Sequence, residues 1–303
     1  MSFHTVAFST TVALADGLKA LSPVTDTVFA PSGNGFLLPA DLRLIAAFTG
    51  SQQIWRARVN APSLVRVGYP SVRPVQPAVS TALSGTPAAN PSLMTLLDSP
   101  IGMRGGEAVG VDAATQNASS ERTTAVLWFA DRLEPVPPGD SFWLRYTSSR
   151  ALTAHTWTVI TPSFDQAFPS GVYAVIGLEF TSPGAVAARI VFPGSVFRPG
   201  VLAQVGSIAT GATNAGNARS QATFYDGSLG IFGTFQTSAP PSIEVLSVSA
   251  DTADTQEGYL RVVRVGDVGV APMAAGPLMP ALNSATSYAS AGGIGPTSST
   301  KGR

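Results

Sequence analysis

The chain has 303 residues, 45% hydrophobic and only 12% charged, with a formal net charge of zero. Charge-driven disorder, a basic field for nucleic acid and a polybasic patch for anionic lipid are thereby excluded. There is no cysteine, which removes disulfides, thiolate metal sites and cysteine nucleophiles.

So little charge leaves a surface of Ser, Thr, Gly, Ala and apolar groups, suited to burial against partners. Lys19 and Lys301 are the only lysines among 18 cations; the rest are arginine, the better cation for buried interface contacts. The N-terminus lacks a positive n-region and its apolar stretch is broken by Ser and Thr, so no cleaved signal peptide is expected. No apolar run reaches the length of a membrane-spanning helix.

Along the chain, short runs rich in Val, Ile, Phe, Tyr and Thr alternate with Pro, Gly, Ser and Asn clusters. Strands are predicted over 42–48, 54–59, 125–129, 142–146, 172–180 and 259–265. The best helix candidate is 92–97, confined by Pro91 and Pro100. Many short strands with regular turn signals indicate sandwiches or barrels.

The sequence also resembles itself. Pro31-Ser32-Gly33 recurs as Pro169-Ser170-Gly171, and Phe48-Thr49 as Phe180-Thr181. Ala57-Arg58-Val59-Asn60-Ala61-Pro62 recurs as Ala188-Arg189-Ile190-Val191-Phe192-Pro193, and Arg73-Pro74 as Arg198-Pro199. The segment from Ser92 to Gly105 aligns without gaps with Ser220 to Gly233, matching Asp98 with Asp226. Val126-Leu127 matches Val245-Leu246, and Trp143-Leu144-Arg145 matches Tyr259-Leu260-Arg261. A fainter match joins His4-Thr5 to His155-Thr156. The matches keep one order, and their spacing shortens as loop deletions in a second copy would make it. The expected organisation is copy one over 1–148, copy two over 149–270 and a low-complexity C-terminal arm over 271–303.

Few residues offer chemistry. The two histidines, His4 and His155, sit in Thr-rich strand-like segments. Zinc and non-haem iron sites want two or three His with a carboxylate, so both are read as structural. Asp98 and Asp226, each followed by Ser or Gly, read as turn residues bonding nearby amides. Asp251 and Asp254 lack the Gly and distal Glu of a calcium loop. Gly105-Gly106 is a turn or bulge and not a phosphate loop. Asn117-Ala118-Ser119 fits a glycosylation sequon, a pattern common by chance. No catalytic, cofactor-binding or metal-ligating residue is assigned, and no enzyme activity is expected.

Two similar β-domains in one chain of this length resemble the double jelly-roll major capsid proteins of icosahedral viruses of the PRD1, PM2 and FLiP kind. The segments carrying the resemblance are the repeated Ala-Arg-x-x-x-Pro strand end, the Arg-Pro after it and the Asp-x-x-Ile/Leu-Gly-Ile/Met turn. The resemblance implies an all-β fold of two tandem eight-stranded jelly-roll β-sandwiches. It also implies a homotrimeric, pseudo-hexameric capsomer of the virion. The implied partners are neighbouring capsomers, vertex or minor capsid proteins and an internal lipid membrane, with no sequence-specific nucleic-acid binding. Two other classes compete. A bicupin enzyme would need clustered His with Glu, and a phage tail, spike or lectin-like β-sandwich module would share the Cys-poor, β-rich composition.

Overall fold

The computed structural model describes residues 3–13, 17–51, 54–66, 72–75, 77–79, 94–96, 99–115, 121–132, 134–182, 185–202, 230–247 and 255–267. The first stretch of chain forms β1 (Phe3–Val12), β2 (Lys19–Ala20), β3 (Pro31–Ser32), β4 (Gly35–Leu37), β5 (Leu42–Ser51) and β6 (Ile54–Asn60). After a four-residue helix, α1 (Ser63–Arg66), come β7 (Val72–Val75), β8 (Pro77–Val79), β9 (Met94–Thr95), β10 (Ile101–Met103), β11 (Ala108–Thr115) and β12 (Glu121–Ala130). The second stretch forms β13 (Ser141–Ser149), β14 (Trp157–Ile160), β15 (Ser163–Phe164), β16 (Val172–Thr181) and β17 (Ala185–Val191). It ends with β18 (Gly200–Leu202), β19 (Gly233–Gln236), β20 (Ser242–Ser247) and β21 (Thr255–Gly266). The protein is all-β, and all six predicted strands lie inside observed ones. The predicted helix at 92–97 is corrected where it is described: Met94 and Thr95 are extended and pair with Ala47 and Ala46.

Four sheets result. Sheet I runs β1-β12-β5-β10, with β8 and β9 also on β5. Sheet II runs β3-β4-β11-β6-β7, with β2 also on β11. Sheet III is β15-β13-β21-β16-β19, and sheet IV is β14-β20-β17-β18. Among the described residues every ladder is antiparallel except that of β5 with β8. The path β1-β12-β5-β10 answers strand for strand to β13-β21-β16-β19, and β2-β11-β6-β7 to β14-β20-β17-β18.

The registers test the sequence repeat residue by residue. On β6, Arg58 lies opposite Asp112 of β11, and on β17, Arg189 lies opposite Glu244 of β20. The Ala-Arg match therefore marks one structural position twice. Strands β5 and β16 also correspond, though Phe48 and Phe180 are one residue out of step. Other matches have a different origin. Trp143, Leu144 and Arg145 lie directly across from Arg261, Leu260 and Tyr259 in a single ladder. Only the leucines face like residues; each aromatic lies opposite the other strand's arginine, so the likeness is one of inward leucine and outward flanks and not of equivalent positions. Val126-Leu127 falls on β12 and Val245-Leu246 on β20, which is the counterpart of β11. His155 precedes β14, whereas His4 lies inside β1, so that match joins unlike positions. Because β13 pairs with β21 along its length, it belongs with the second pair of sheets. The chain passes from one pair to the other between Ala130 and Ser141, upstream of the expected 148. Asp98, Asp226, Asp251, Asp254, Asn117 and the arm at 271–303 lie outside the described residues.

Burial explains why sheet I is continuously apolar. On β12, Ala125, Leu127 and Phe129 face a cluster formed within the first pair of sheets. Val126, Trp128 and Ala130 face the other way, into a cluster dominated by the second pair. A strand covered on both faces reads as an unbroken apolar run, as Ala125–Ala130 does. The cover comes from sheet IV, whose Ala187 and Leu246 share that cluster and the face of Arg189. The layers thus stack II, I, IV, III, with one seam between the halves.

Candidate functional site

The densest polar arrangement is this seam. Strand β1 contributes Thr5, on the seam face with Phe3 and Ala7, and His4, on the opposite face with Val6 and Phe8, since alternate residues of a strand point to opposite faces. The loop after β2 adds Asp26, β17 adds Arg189, the turn before β18 adds Arg198 and β20 adds Glu244. Arg189 is 1% exposed and pairs with both Asp26 and Glu244. Its guanidinium donates to the Thr5 carbonyl at 3.0 Å and lies 4.1 Å from the centre of the Trp157 ring. Asp26 is further held by the amides of Val28, at 2.8 Å, and Phe29, at 3.1 Å.

His4 completes the network. Its Nδ1 accepts the Arg198 amide at 3.0 Å, and its Nε2 lies 3.3 Å from Asp26. A ring nitrogen that accepts an N–H carries no proton, so His4 is the neutral Nε2–H form that donates to Asp26. Burial pushes the His4 pKa down, and this outweighs the opposing bond and charge of Asp26. For Asp26, burial acts upward. The His4 hydrogen bond and the Arg189 charge overcome it and hold the carboxyl well below its usual range. His4 stacks on Phe29 with ring centroids 4.5 Å apart.

Two further contacts extend the seam. The amide of Thr5 donates to the Arg198 carbonyl at 2.9 Å, and the Trp128 indole donates to the Gly200 carbonyl at 3.1 Å. His155 meets Ser9 at 2.5 Å and adopts a φ of 55°, with its amide donating to Ser247. The two histidines therefore touch the same strand five residues apart, about 17 Å along it. They do not converge on one point. Among the described residues no three His, Asp or Glu side chains gather as a metal site would require. The network is largely buried, and its chemistry is that of a clamp between two bodies: a charged bridge, the Thr5–Arg198 backbone bond and a buried indole.

Sequence reasoning singled out His4 and Arg189 without their partner Asp26. A signal existed. Asp26-Thr-Val-Phe29-Ala-Pro31-Ser-Gly33 and Asp165-Gln-Ala-Phe168-Pro169-Ser-Gly171 differ by one inserted residue. Both phenylalanines pack into aromatic clusters, Phe29 beside Phe36 and Phe129, and Phe168 beside Tyr173 and Phe235. The motif is shared but the position is not: the Asp165 amide bonds the Arg145 carbonyl as the Val24 amide bonds that of Ala7, so Asp165 stands where Val24 stands, on the outer side of sheet III and paired with Arg145. Likewise Arg58, the counterpart of Arg189, lies on the outer side of sheet II, with 33% of its side chain exposed, 2.8 Å from Asp112. Gly105-Gly106 is a turn, as expected: Gly106 has φ 81°, and the Gly105 amide donates to Asp41.

No family model matches this sequence, and no curated protein matches it. Among solved structures, the chain is similar to the crystal structure of the major capsid protein P2 from bacteriophage PM2. The two are 11% identical, the match covers 88% of this chain and 99% of that one, and the TM-score is 0.24.

Proposed function

We propose that this chain is the structural major capsid protein of an icosahedral virus, assembled as trimeric, pseudo-hexameric capsomers. Each half is read as one jelly roll, joined in the segment between Ala130 and Ser141. The observation that carries the reading is the doubled strand order. Numbering in each half only the eight strands of the shared paths (β1, β2, β5, β6, β7, β10, β11, β12 and β13, β14, β16, β17, β18, β19, β20, β21), the first lies beside the eighth, then the third and the sixth, while the second, seventh, fourth and fifth form the facing sheet. Two antiparallel sheets, each with such a four-stranded path in a Greek-key order, are the jelly-roll pattern.

The seam supports the reading physically. A shell tile must hold a fixed shape under load, and here two rolls are fused through a two-sided sheet and a largely buried ion network. Under this reading the protein works in the virion without catalysis. Its partners are copies of itself, neighbouring capsomers, other capsid proteins and an enclosed membrane.

Light scattering on the purified chain tests the proposal. The expected mass is three times the 31.1 kDa chain; a monodisperse monomer at micromolar concentration overturns it.

A further inference from the structure

We infer that His4 is an acid-released latch between the two halves. When its Nδ1 takes a proton from solvent, the turn between β17 and β18 parts from β1, and the seam opens at that end while both halves stay folded.

The latch consists of two reciprocal bonds to a single residue. The Arg198 amide donates to His4 Nδ1 at 3.0 Å, and the Arg198 carbonyl accepts the Thr5 amide at 2.9 Å. The first bond exists only while Nδ1 carries no proton. A protonated Nδ1 is a donor, so two N–H groups would then face each other, and a buried donor without an acceptor is costly. At the other ring nitrogen nothing changes, because Nε2 holds a proton in both forms and Asp26 accepts it. Protonation thus spares the bond inside the first half and breaks the bond between the halves.

The charges around the ring are few. Asp26, from the loop after β2, favours the cation. Burial opposes it on a side chain 1% exposed, and so do Arg189 of β17 and Arg198 itself. Glu244 of β20 faces both arginines, 2.5 Å from Arg189 and 4.0 Å from Arg198. Phe29 stacks on the ring and Phe197 meets it edge-on. A cation between apolar rings and two guanidinium groups is relieved by opening to water.

The moving part braces itself. In the turn, the Ser195 amide donates to the Phe192 carbonyl at 3.1 Å and the Phe197 amide to the Ser195 hydroxyl at 3.2 Å. The Arg198 guanidinium donates to the carbonyls of Ser195, at 2.7 Å, and Phe197, at 3.1 Å. The turn can therefore swing as one unit, and its Val196 is 58% exposed. The Thr5 amide points out of the β1–β12 ladder, so its release leaves that ladder whole. The contact five residues along β1 behaves differently. There His155 Nδ1 meets the Ser9 hydroxyl at 2.5 Å, and a hydroxyl serves a bare or a protonated nitrogen equally. That contact holds in acid and serves as the hinge. In a shell subunit, acid thereby loosens the joint between the halves without unfolding either.

Hydrogen–deuterium exchange of the full chain, followed by mass spectrometry at pH 7.5 and pH 5 and corrected for the pH dependence of intrinsic exchange, tests the latch. In the open seam His4 takes up its proton at the ordinary value of 6.5, which the closed seam refuses, so the open population rises about thirtyfold by pH 5. Protection of the peptides holding Thr5 and Arg198 should fall by that factor, and these peptides should exchange ahead of the β16–β21 ladder at both pH values. His4→Gln, which offers an acceptor that cannot titrate, should abolish the pH dependence at these amides, whereas His155→Gln should keep it. Protection at Thr5 and Arg198 that is unchanged between the two pH values in the wild-type chain, or that only equals that of the β16–β21 ladder, overturns the latch. An equal fall in His4→Gln overturns it too. Should circular dichroism show that His4→Gln does not fold, the wild-type comparison decides alone.

Discussion

Arg58 and Arg189 occupy one structural position in two environments, and this makes their energetics separable. Removing Arg189 leaves Asp26 and Glu244 buried without their cation, and breaking a buried pair in this way costs about 3–5 kcal/mol. Arg58 is partly solvated and pairs with one carboxylate, so Arg58→Ala should cost about 0–1 kcal/mol in the isolated subunit. Urea unfolding of the two alanine variants measures the contrast, and equal losses would contradict it. His4 adds a pH signature. Its folded pKa lies below the unfolded value of 6.5, so unfolded chains take up a proton that the folded protein refuses. The stability it contributes is complete above pH 6.5 and falls as the pH drops below that value. The slope reaches about 1.4 kcal/mol per unit. Asp26 acts in a lower window, its contribution being lost only as the pH falls below the ordinary carboxylate value of 3.8. His4→Gln keeps an acceptor and a donor in place but cannot titrate. Denaturant midpoints measured between pH 7 and pH 5 should therefore flatten in this variant relative to wild type.

At the scale of elements, the seam depends on how closely β18 approaches β17. A Cβ on Gly200 would lie 2.7 Å from the Arg189 Cβ and 2.9 Å from its Cα, and both groups are fixed by the ladder. Gly200→Ala should therefore push β18 away, weaken the Trp128 bond to the Gly200 carbonyl and lower stability by about 2–4 kcal/mol. Thermal melting checks this, and an unchanged Tm would mean that β18 can shift freely. The strands themselves were legible in the sequence because their apolar runs are long and bounded by turn residues. Their pairing was not. Trp143-Leu144-Arg145 reads as a repeat of Tyr259-Leu260-Arg261 because both strands alternate an inward leucine with an outward aromatic and arginine, although they are neighbours in one ladder. Periodicity alone does not separate a neighbour from a copy. The short strand Met94–Thr95 was taken for helix because Ser, Leu and Met between two prolines carry no strand signal of their own; pairing with β5 supplies it.

For the whole molecule, duplication was legible at Ala-Arg-x-x-x-Pro, where the residue serves the same ladder twice. The extent of each copy was not, since β13 opens the second half, yet its sequence resembles the last strand it pairs with. The seam was illegible for a physical reason. His4, Asp26, Arg189 and Glu244 come from four separate segments, and only the packing of sheet I on sheet IV unites them. The same packing sets the shape from which the proposed tile follows: two pairs of sheets with one strand order, joined by a largely buried interface. Electron-microscopic class averages of the purified oligomer test that account most directly. The account predicts a three-fold particle with six similar lobes and a near-hexagonal outline, two lobes to each chain. A particle with two lobes only, or an oligomer whose lobes follow any symmetry other than three-fold, would contradict it.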